Sequence, residues 1–176
     1  AAEWPYIMNY IKTIPETISD GEGLRAAIYL AGCENKCKGC FNPESWDYEA
    51  GRELTDNIID QFIIDVLENT LVEGVSILGG DPFAPKNRKD LYHLLRKLRD
   101  GGINNIWVWT GYTKEELEKD PIARACFSLI NVLVDGPFMV GLRDIKLKYR
   151  GSTNQRIIRL NHSDTTYANP EAAISL

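Results

Sequence analysis

The sequence predicts an α/β fold with mostly parallel strands, arranged as a partial, open βα barrel. Short apolar runs alternate with helical patterns along the chain, which is typical of βαβ units and a parallel sheet. Glycines and polar residues follow the apolar runs, at the position where parallel α/β folds carry their sites. The chain has 176 residues, whereas a complete eight-unit barrel takes about 250. Only part of a barrel can therefore form.

Two helices are predicted in the first half of the chain, each after an apolar strand run. The strand runs are residues 26–31 and residues 75–78. The helix after the first run begins at a Thr55 N-cap and extends to about residue 69. Six apolar residues share one face of this helix, namely Ile58, Ile59, Phe62, Ile63, Val66 and Leu67. The helix after the second run closes at Gly101-Gly102 and carries four leucines at helical spacing, namely Leu91, Leu94, Leu95 and Leu98.

Shorter elements continue the alternation in the second half of the chain. Strands are predicted over residues 106–110, residues 129–134 and, at the end, residues 155–160. Between the first two of these strands, Thr113 and Glu116 have the spacing of a capping box. That spacing predicts a short helix beginning at Thr113.

Charge and hydropathy argue against several classes of protein. The formal net charge of −5 predicts neither a nucleic-acid surface nor an anionic-membrane surface. No apolar run approaches the roughly 20 residues that span a bilayer, and residues 1–6 lack the pattern of a secretory signal. We therefore expect a cytoplasmic protein. We expect one domain over residues 1–176, with residues 1–7 a cloning remnant or tail and residues from about 161 to 176 a C-terminal extension.

Three of the four cysteines, Cys33, Cys37 and Cys40, lie within eight positions. Such clustering indicates a metal site rather than an extracellular disulfide framework. Three thiolates on one loop can hold three irons of a [4Fe–4S] cluster and leave the fourth iron open to a substrate. The cysteines alone leave two alternatives. One is a zinc site that recruits a distant fourth ligand such as Cys126, and the other is a redox pair of Cys37 and Cys40.

The surroundings of the cysteines resemble the radical S-adenosylmethionine superfamily. In that superfamily a CxxxCxxC loop follows the first barrel strand, as Cys33 to Cys40 follows the first apolar run here. Gly79-Gly80-Asp81-Pro82, after the second run, resembles the glycine motif for the methionine amino group. Glycine suits such a position because a residue without a Cβ lets a ligand approach the backbone.

A larger set of segments resembles a family within that superfamily, the activating proteins of anaerobic ribonucleoside-triphosphate reductases, which are small glycyl-radical activases. The resemblance covers about Met8 to Gln155. It departs at Glu22, where the family commonly has proline, and after about Leu160. The segments are Asp20 to Arg25, Gly32 to Pro43, Trp46, Gly79 to Pro82, Trp107 to Tyr112, Val134 to Gly136 and Arg150 to Gln155.

This resemblance implies a fold, a reaction and partners. The fold is a partial barrel of radical S-adenosylmethionine type, in which Cys33, Cys37 and Cys40 hold one [4Fe–4S] cluster. An electron from a flavodoxin-like donor cleaves S-adenosylmethionine at the cluster. The resulting 5′-deoxyadenosyl radical takes hydrogen from a glycine of the reductase catalytic subunit. The implied cofactor contacts are Gly39, Cys40, Phe41, Gly79, Gly80 and Asp81, with Thr110 and Gly111 on the same rim.

Two other functions remain open from the sequence. One is an activase for another glycyl-radical enzyme, such as pyruvate formate-lyase, although those activases usually run longer. The segments Trp109 to Tyr112 and Gly151 to Gln155 favour the reductase. The other is a zinc or redox thiol module without catalytic activity.

Five residues outside the cysteine and glycine motifs receive separate interpretations. Trp107 and Trp109 alternate in one strand, so we expect both to pack on the same side. Cys126 is interpreted as a small buried hydrophobe. Arg25 either stabilises a loop or contacts an anionic ligand, and for Asn154 we expect contact with the partner or the nucleoside.

Overall fold

A computed structural model describes residues 4–160, and the C-terminal extension expected from about residue 161 lies outside the described residues. Seven strands and four α-helices occur within this range. In chain order they are β1 (Asn9–Thr17), β2 (Arg25–Leu30), β3 (Arg52–Glu53), α1 (Asp56–Glu68), β4 (Gly74–Gly79), α2 (Arg88–Asp100), β5 (Ile106–Trp109), α3 (Lys114–Leu117), α4 (Pro121–Phe127), β6 (Val132–Asp135) and β7 (Arg156–Arg159).

The strands form one sheet in the order β3-β1-β2-β4-β5-β6-β7. The four central strands, β2, β4, β5 and β6, are parallel to one another. Antiparallel pairs join β3 to β1, β1 to β2 and β6 to β7. The predicted α/β class with an open sheet is confirmed, and parallel pairing is confined to the centre of that sheet.

The helices cover one face of this sheet and bury the main apolar core against it. Thr55 caps α1 by accepting a hydrogen bond from the backbone N–H of Ile58 at 3.3 Å. The predicted apolar face of α1 is buried at Ile59, Phe62, Ile63 and Val66, whereas Leu67, at the margin of that face, is exposed. No helix within residues 4–160 combines the length and the apolar character that crossing a membrane requires.

The opposite face of the sheet carries a smaller apolar cluster built around Trp107. Its indole ring is buried and stacks on Trp109, with the ring centres 5.7 Å apart, as expected for alternating residues of one strand. Tyr149 packs edge-on against Trp107 at 5.5 Å. Loops rather than helices border this face, and they leave room for a cavity.

Residues 4–8, the first that the structure describes, are packed against α2. The indole N–H of Trp4 donates to Asp90 Oδ1 at 2.8 Å, and its ring stacks on His93 with the ring centres 4.6 Å apart. The backbone N–H groups of Ile7 and Met8 donate to Asp90 Oδ2 at 2.8 and 2.9 Å. One buried carboxylate thus fixes this segment to the helical layer.

Candidate functional site

The four parallel strands end at one edge of the sheet, and the segments that leave them border a cavity of about 690 Å³. Parallel α/β folds bind ligands at this edge. Nine of the ten predicted site residues line the cavity, namely Cys33, Cys37, Cys40, Phe41, Gly79, Gly80, Asp81, Thr110 and Gly111. The tenth, Gly39, packs against a neighbouring loop, where an added Cβ would lie 3.3 Å from Val140 Cγ2.

The cysteine loop leaves β2 through a short hydrogen-bonded base. The backbone N–H of Gly32 donates to the Ser45 carbonyl at 2.7 Å, and that of Cys33 donates to the Trp46 carbonyl at 3.1 Å. Within the loop the N–H of Cys40 donates to the Cys37 carbonyl at 3.1 Å, which forms a turn. These bonds hold both ends of the loop beside the strand exits, so its three thiols face one cavity.

All four cysteines are free thiols, and backbone N–H groups point at the sulfurs of the three in the loop. Cys40 Sγ accepts from Asn42 N at 3.4 Å. Burial raises the pKa of the Cys33 and Cys37 thiols, and hydrogen bonds from backbone N–H groups oppose that rise. Hydrogen bonds to sulfur are a regular feature of iron–sulfur sites and help to set their potentials. The donor set therefore fits a [4Fe–4S] cluster.

The zinc alternative lacks the fourth cysteine it would need. Cys126 is fully buried in α4 within the main core, on the helical face of the sheet. Among residues 4–160, no group of three or more His, Cys, Asp and Glu side chains is gathered closely enough to hold a metal ion. Ligation by the loop cysteines therefore requires their side chains to converge further.

A second feature that fits a bound group is the indole of Trp46, which lines the cavity. Its Nε1–H is buried and has no acceptor within the described part of the chain. An unsatisfied buried donor costs about 1–3 kcal/mol. An acceptor brought by a bound group would remove that cost.

Asp81 connects three segments that border the cavity. Its buried carboxylate accepts hydrogen bonds from Thr110 Oγ1 at 2.9 Å and from the backbone N–H of Gly111 at 2.8 Å. It also accepts from Asn35 Nδ2 at 3.0 Å and from Phe83 N at 2.9 Å. Burial raises the pKa of Asp81 to about 6, and the hydrogen bonds from Gly111, Phe83 and Thr110 oppose the rise. The carboxylate thus joins the exits of β4 and β5 to the cysteine loop.

Gly79 and Gly80 need to be glycine because the chain's own backbone lies against them. A Cβ at Gly79, whose φ is +115°, would lie 2.4 Å from the backbone N of Leu30. A Cβ at Gly80 would lie 2.5 Å from the Gly32 carbonyl oxygen. The sequence predicts that a ligand approaches these two glycines closely. On the side where a Cβ would stand, the chain's own backbone, in β2 and at the start of the cysteine loop, makes that close approach instead.

Residues 137–155 form a loop along the open side of the cavity. Trp109 Nε1 donates to the Tyr149 carbonyl at 2.7 Å. Gln155 Oε1 accepts from Gly151 N at 2.8 Å, and Arg150 Nη1 donates to the Gln155 carbonyl at 2.5 Å. Asn154 Nδ2 donates to the Pro137 carbonyl at 2.7 Å. The side chains of Arg150, Asn154 and Gln155 thus form hydrogen bonds with backbone atoms of the loop itself. Contact of Asn154 with a partner or nucleoside stays a prediction.

Arg25 stabilises a loop, which settles the two interpretations of this residue. Its guanidinium is buried and donates to Ser76 Oγ at 2.8 Å, to the Glu22 carbonyl at 3.1 Å and to the Val75 carbonyl at 2.9 Å. Burial lowers its pKa to about 10, so the group is charged at neutral pH. Arg25 thus holds residues 20–24 against the sheet, and it is not among the residues that line the cavity.

Sequence patterns do not single out three residues that line the cavity: Asn35, Tyr29 and Tyr149. The hydroxyl of Tyr29 donates to Asp20 Oδ2 at 3.0 Å. Tyr149 has a left-handed φ of 64°, which is rare for a residue with a large side chain. The position of Asn35 between two cysteines is a usable signal. No sequence signal points to Tyr149, because the residue it contacts, Trp109, lies 40 positions earlier in the chain.

Comparison with known protein families matches the chain to the family described as a 4Fe–4S single cluster domain. The match covers residues 19–158, which is most of the chain. It includes all three loop cysteines, the glycine turn after β4 and the loop over residues 137–155.

Curated relatives are similar over nearly their whole length. The anaerobic ribonucleoside-triphosphate reductase-activating protein of Haemophilus influenzae is 40% identical over 155 residues, which cover 86% of this chain and 98% of the relative. The protein of the same name from Escherichia coli K12 is 38% identical, over 87% and 99% of the two chains. The one from Enterobacteria phage T4 is 31% identical, over 85% and 93%.

Proposed function

Because the chain belongs to the family of anaerobic ribonucleoside-triphosphate reductase-activating proteins, we propose that it activates such a reductase by radical chemistry. One observation carries the proposal. The three free thiols, the glycine turn after β4, Asp81 and the Thr110-Gly111 pair all border one cavity at the carboxyl edge of the parallel strands.

We propose that the cavity holds one [4Fe–4S] cluster and S-adenosylmethionine. Together these groups would supply the chemistry: one-electron reduction would break a carbon–sulfur bond of S-adenosylmethionine, and the 5′-deoxyadenosyl radical released beside methionine would take hydrogen from a glycine of the reductase. Cys33, Cys37 and Cys40 would bind three of the four irons. The fourth iron would then be free for the amino and carboxylate groups of the methionine portion.

The remaining lining residues would orient the substrate and limit its contact with water. The turn from Gly79 to Asp81 would bind the methionine portion. Phe41 and Gly39, beside Cys40, and Thr110 and Gly111, after β5, are the remaining proposed contacts. Leu78, Trp109 and Tyr149 supply apolar surface along the cavity, which suits a nucleoside and disfavours bulk water.

The proposal extends to the fold and to the setting of the reaction. We propose that the open sheet is a partial barrel of radical S-adenosylmethionine type and that residues 1–176 form one domain. The reducing electron would come from a flavodoxin-like protein. Free, closely spaced thiols are typical of reducing compartments, so we place the protein in the cytoplasm.

The test is anaerobic reconstitution with iron and sulfide, followed by dithionite and S-adenosylmethionine. The unaltered protein is expected to bind about four irons, to absorb in the visible region and to release 5′-deoxyadenosine. Cys37→Ser is expected to lose the 5′-deoxyadenosine and most of the iron. Cys126→Ala is the matched control, because Cys126 lies in the core away from the cavity, and it should retain both.

Two results would count against this function. Tight zinc binding by the unaltered protein, with no 5′-deoxyadenosine, would favour a thiol module. Release of 5′-deoxyadenosine without a glycyl radical in the reductase, measured by electron paramagnetic resonance, would leave the radical chemistry but point to a different protein substrate.

A further inference from the structure

An exposed apolar patch borders the mouth of the cavity. Eleven large apolar side chains are exposed among residues 4–160. Five of them form what we term the apolar rim: Phe41, Met139, Val140, Leu142 and Ile145. Phe41 and Ile145 also line the cavity. Contiguous exposed apolar surface on a soluble protein marks a site of interaction with another molecule.

Two loops packed against each other build the apolar rim. The rings of Phe41 and Phe138 lie 5.4 Å apart, which joins the cysteine loop to the loop over residues 137–155. The guanidinium of Arg143 lies 5.4 Å from the centre of the Phe41 ring. The backbone N–H of Met139 donates to Ser152 Oγ at 3.2 Å, and the carbonyl of Leu142 accepts from Thr153 N at 2.9 Å. The rim is therefore held in place by the same loops that border the cavity.

Cationic side chains are concentrated in the chain segment that carries and follows the apolar rim, although the whole chain is acidic. Residues 143–150 contain four cationic side chains and one carboxylate, in a chain of net charge −5. Lys146 and Lys148 are exposed, and neither takes part in the ion pairs found among residues 4–160. Lys36 and Lys38, on the cysteine loop, are exposed as well. A partner for this surface would combine apolar side chains with carboxylates.

We propose that the apolar rim and its cations form the surface on which the protein substrate docks. Where it meets the rim, that substrate would present apolar side chains and carboxylates. This inference rests on the proposed function, because only a substrate whose hydrogen is taken inside the cavity must pass the rim. The apolar residues would supply most of the affinity, and the lysines would speed association.

Two other occupants fit the surface less well. In a twofold contact between copies of the chain the same patch faces itself. Lys146 and Lys148 would then meet like charges at close range. An electron-donor protein needs to come near the cluster but need not insert a segment, and transient redox partners use small contacts. Because the apolar rim comprises five exposed side chains, it favours the protein substrate over the electron donor as the molecule that docks there.

The test compares two double variants in complex formation with the reductase. Met139→Ser with Leu142→Ser removes apolar surface from the rim at residues that do not line the cavity. Leu67→Ser with Leu71→Ser removes exposed apolar surface from the helical side. With dithionite as reductant, the rim variant should bind the reductase about tenfold or more weakly and give correspondingly less glycyl radical. The control variant should match the unaltered protein.

A third measurement separates this inference from the proposed function. Without the reductase, the rim variant should release 5′-deoxyadenosine at the unaltered rate. If the unaltered protein releases none, the proposed function fails. The proposed docking surface is wrong if release of 5′-deoxyadenosine is normal and the rim variant binds the reductase as tightly as the unaltered protein or the control variant does. Loss of activation only when a flavodoxin replaces dithionite would assign the rim to the electron donor and overturn the inference.

Discussion

Asn35 donates a hydrogen bond from its side-chain amide to Asp81 Oδ2 at 3.0 Å. This bond joins the middle of the cysteine loop to the residue that follows the glycine turn after β4. Because Asp81 also accepts from Thr110 and Gly111, one carboxylate fixes the relative positions of three cavity walls. The cysteine loop is therefore held by a side-chain contact as well as by its hydrogen-bonded base.

Replacing Asn35 with leucine should loosen the cysteine loop. The variant leaves Asp81 Oδ2 with one fewer donor, which we expect to lower the free energy of unfolding by about 1–2 kcal/mol. Urea unfolding of the iron-free protein measures this, and transfer of iron from the reconstituted protein to a chelator should be faster. Gln61→Leu is the control, because Gln61 binds Asp65 on an exposed helix surface, where such a pair contributes only about 0.2–0.5 kcal/mol. Equal losses in both variants would contradict a specific role for Asn35.

Gly80→Ala should destabilise the protein even without its cofactors. The new Cβ would lie 2.5 Å from the Gly32 carbonyl oxygen and 2.7 Å from that of Ser45, and backbone atoms cannot easily move away. We expect a loss of about 1–3 kcal/mol in thermal or urea unfolding. Gly141→Ala is the matched control, since nothing lies within 4 Å of its Cβ position. A stable Gly80→Ala protein would indicate that Gly80 is needed only for ligand binding.

Arg25→Met should lower the free energy of unfolding far more than replacement of Arg159, a second arginine that contacts the loop over residues 20–24. The buried guanidinium of Arg25 donates to the backbone carbonyls of Glu22, Val75 and Asn105, and removing it takes one donor from each, which should cost about 2–4 kcal/mol in total. Arg159 forms an exposed ion pair with Glu22, so Arg159→Met should cost about 1 kcal/mol or less. Chemical unfolding of the two variants side by side measures the difference. Similar losses of stability in the two variants would refute the conclusion that Arg25 holds residues 20–24 against the sheet.

Reversing the charge of the lysines beside the apolar rim should slow docking. For Lys146→Glu with Lys148→Glu, the association rate constant with the reductase should fall about tenfold at low ionic strength, and added salt should shrink the difference. Lys89→Glu with Lys119→Glu makes the same change in net charge at exposed positions on α2 and just after α3. Stopped-flow or surface-binding kinetics at two salt concentrations can compare the pairs. If both pairs slow association equally, overall charge rather than the rim steers the encounter.

Much of the fold could be predicted because it depends on local patterns. The capping box at Thr113 and Glu116 forms as its spacing indicates. The strand β1 was not predicted, since its sequence contains Pro15 and many polar residues, and its pairing with β2 in antiparallel register is decided by the sheet. The helix α4 spans seven residues, which is too short for a helical period to stand out.

The candidate site was partly visible in the sequence for the same reason. The cysteines and the Gly79-Gly80 turn are short motifs, and both lie at strand exits, which topology brings to one edge. The choice between the two interpretations of Arg25 could not be made from the sequence, because two of its backbone acceptors, on Val75 and Asn105, lie 50 and 80 residues away along the chain. The contact of Trp109 with the Tyr149 carbonyl depends likewise on the path of a long loop.

The stacked pair of Trp107 and Trp109 has an optical consequence. Trp109 lines the cavity, and so does Trp46, which follows the cysteine loop in the chain. Iron–sulfur clusters absorb light at the wavelengths at which indoles emit, so a cluster bound by the loop cysteines would quench these fluorophores by energy transfer. Tryptophan emission should fall as iron and sulfide are taken up and return as a chelator removes them. The chain thus carries an internal, label-free reporter of its own cofactor loading.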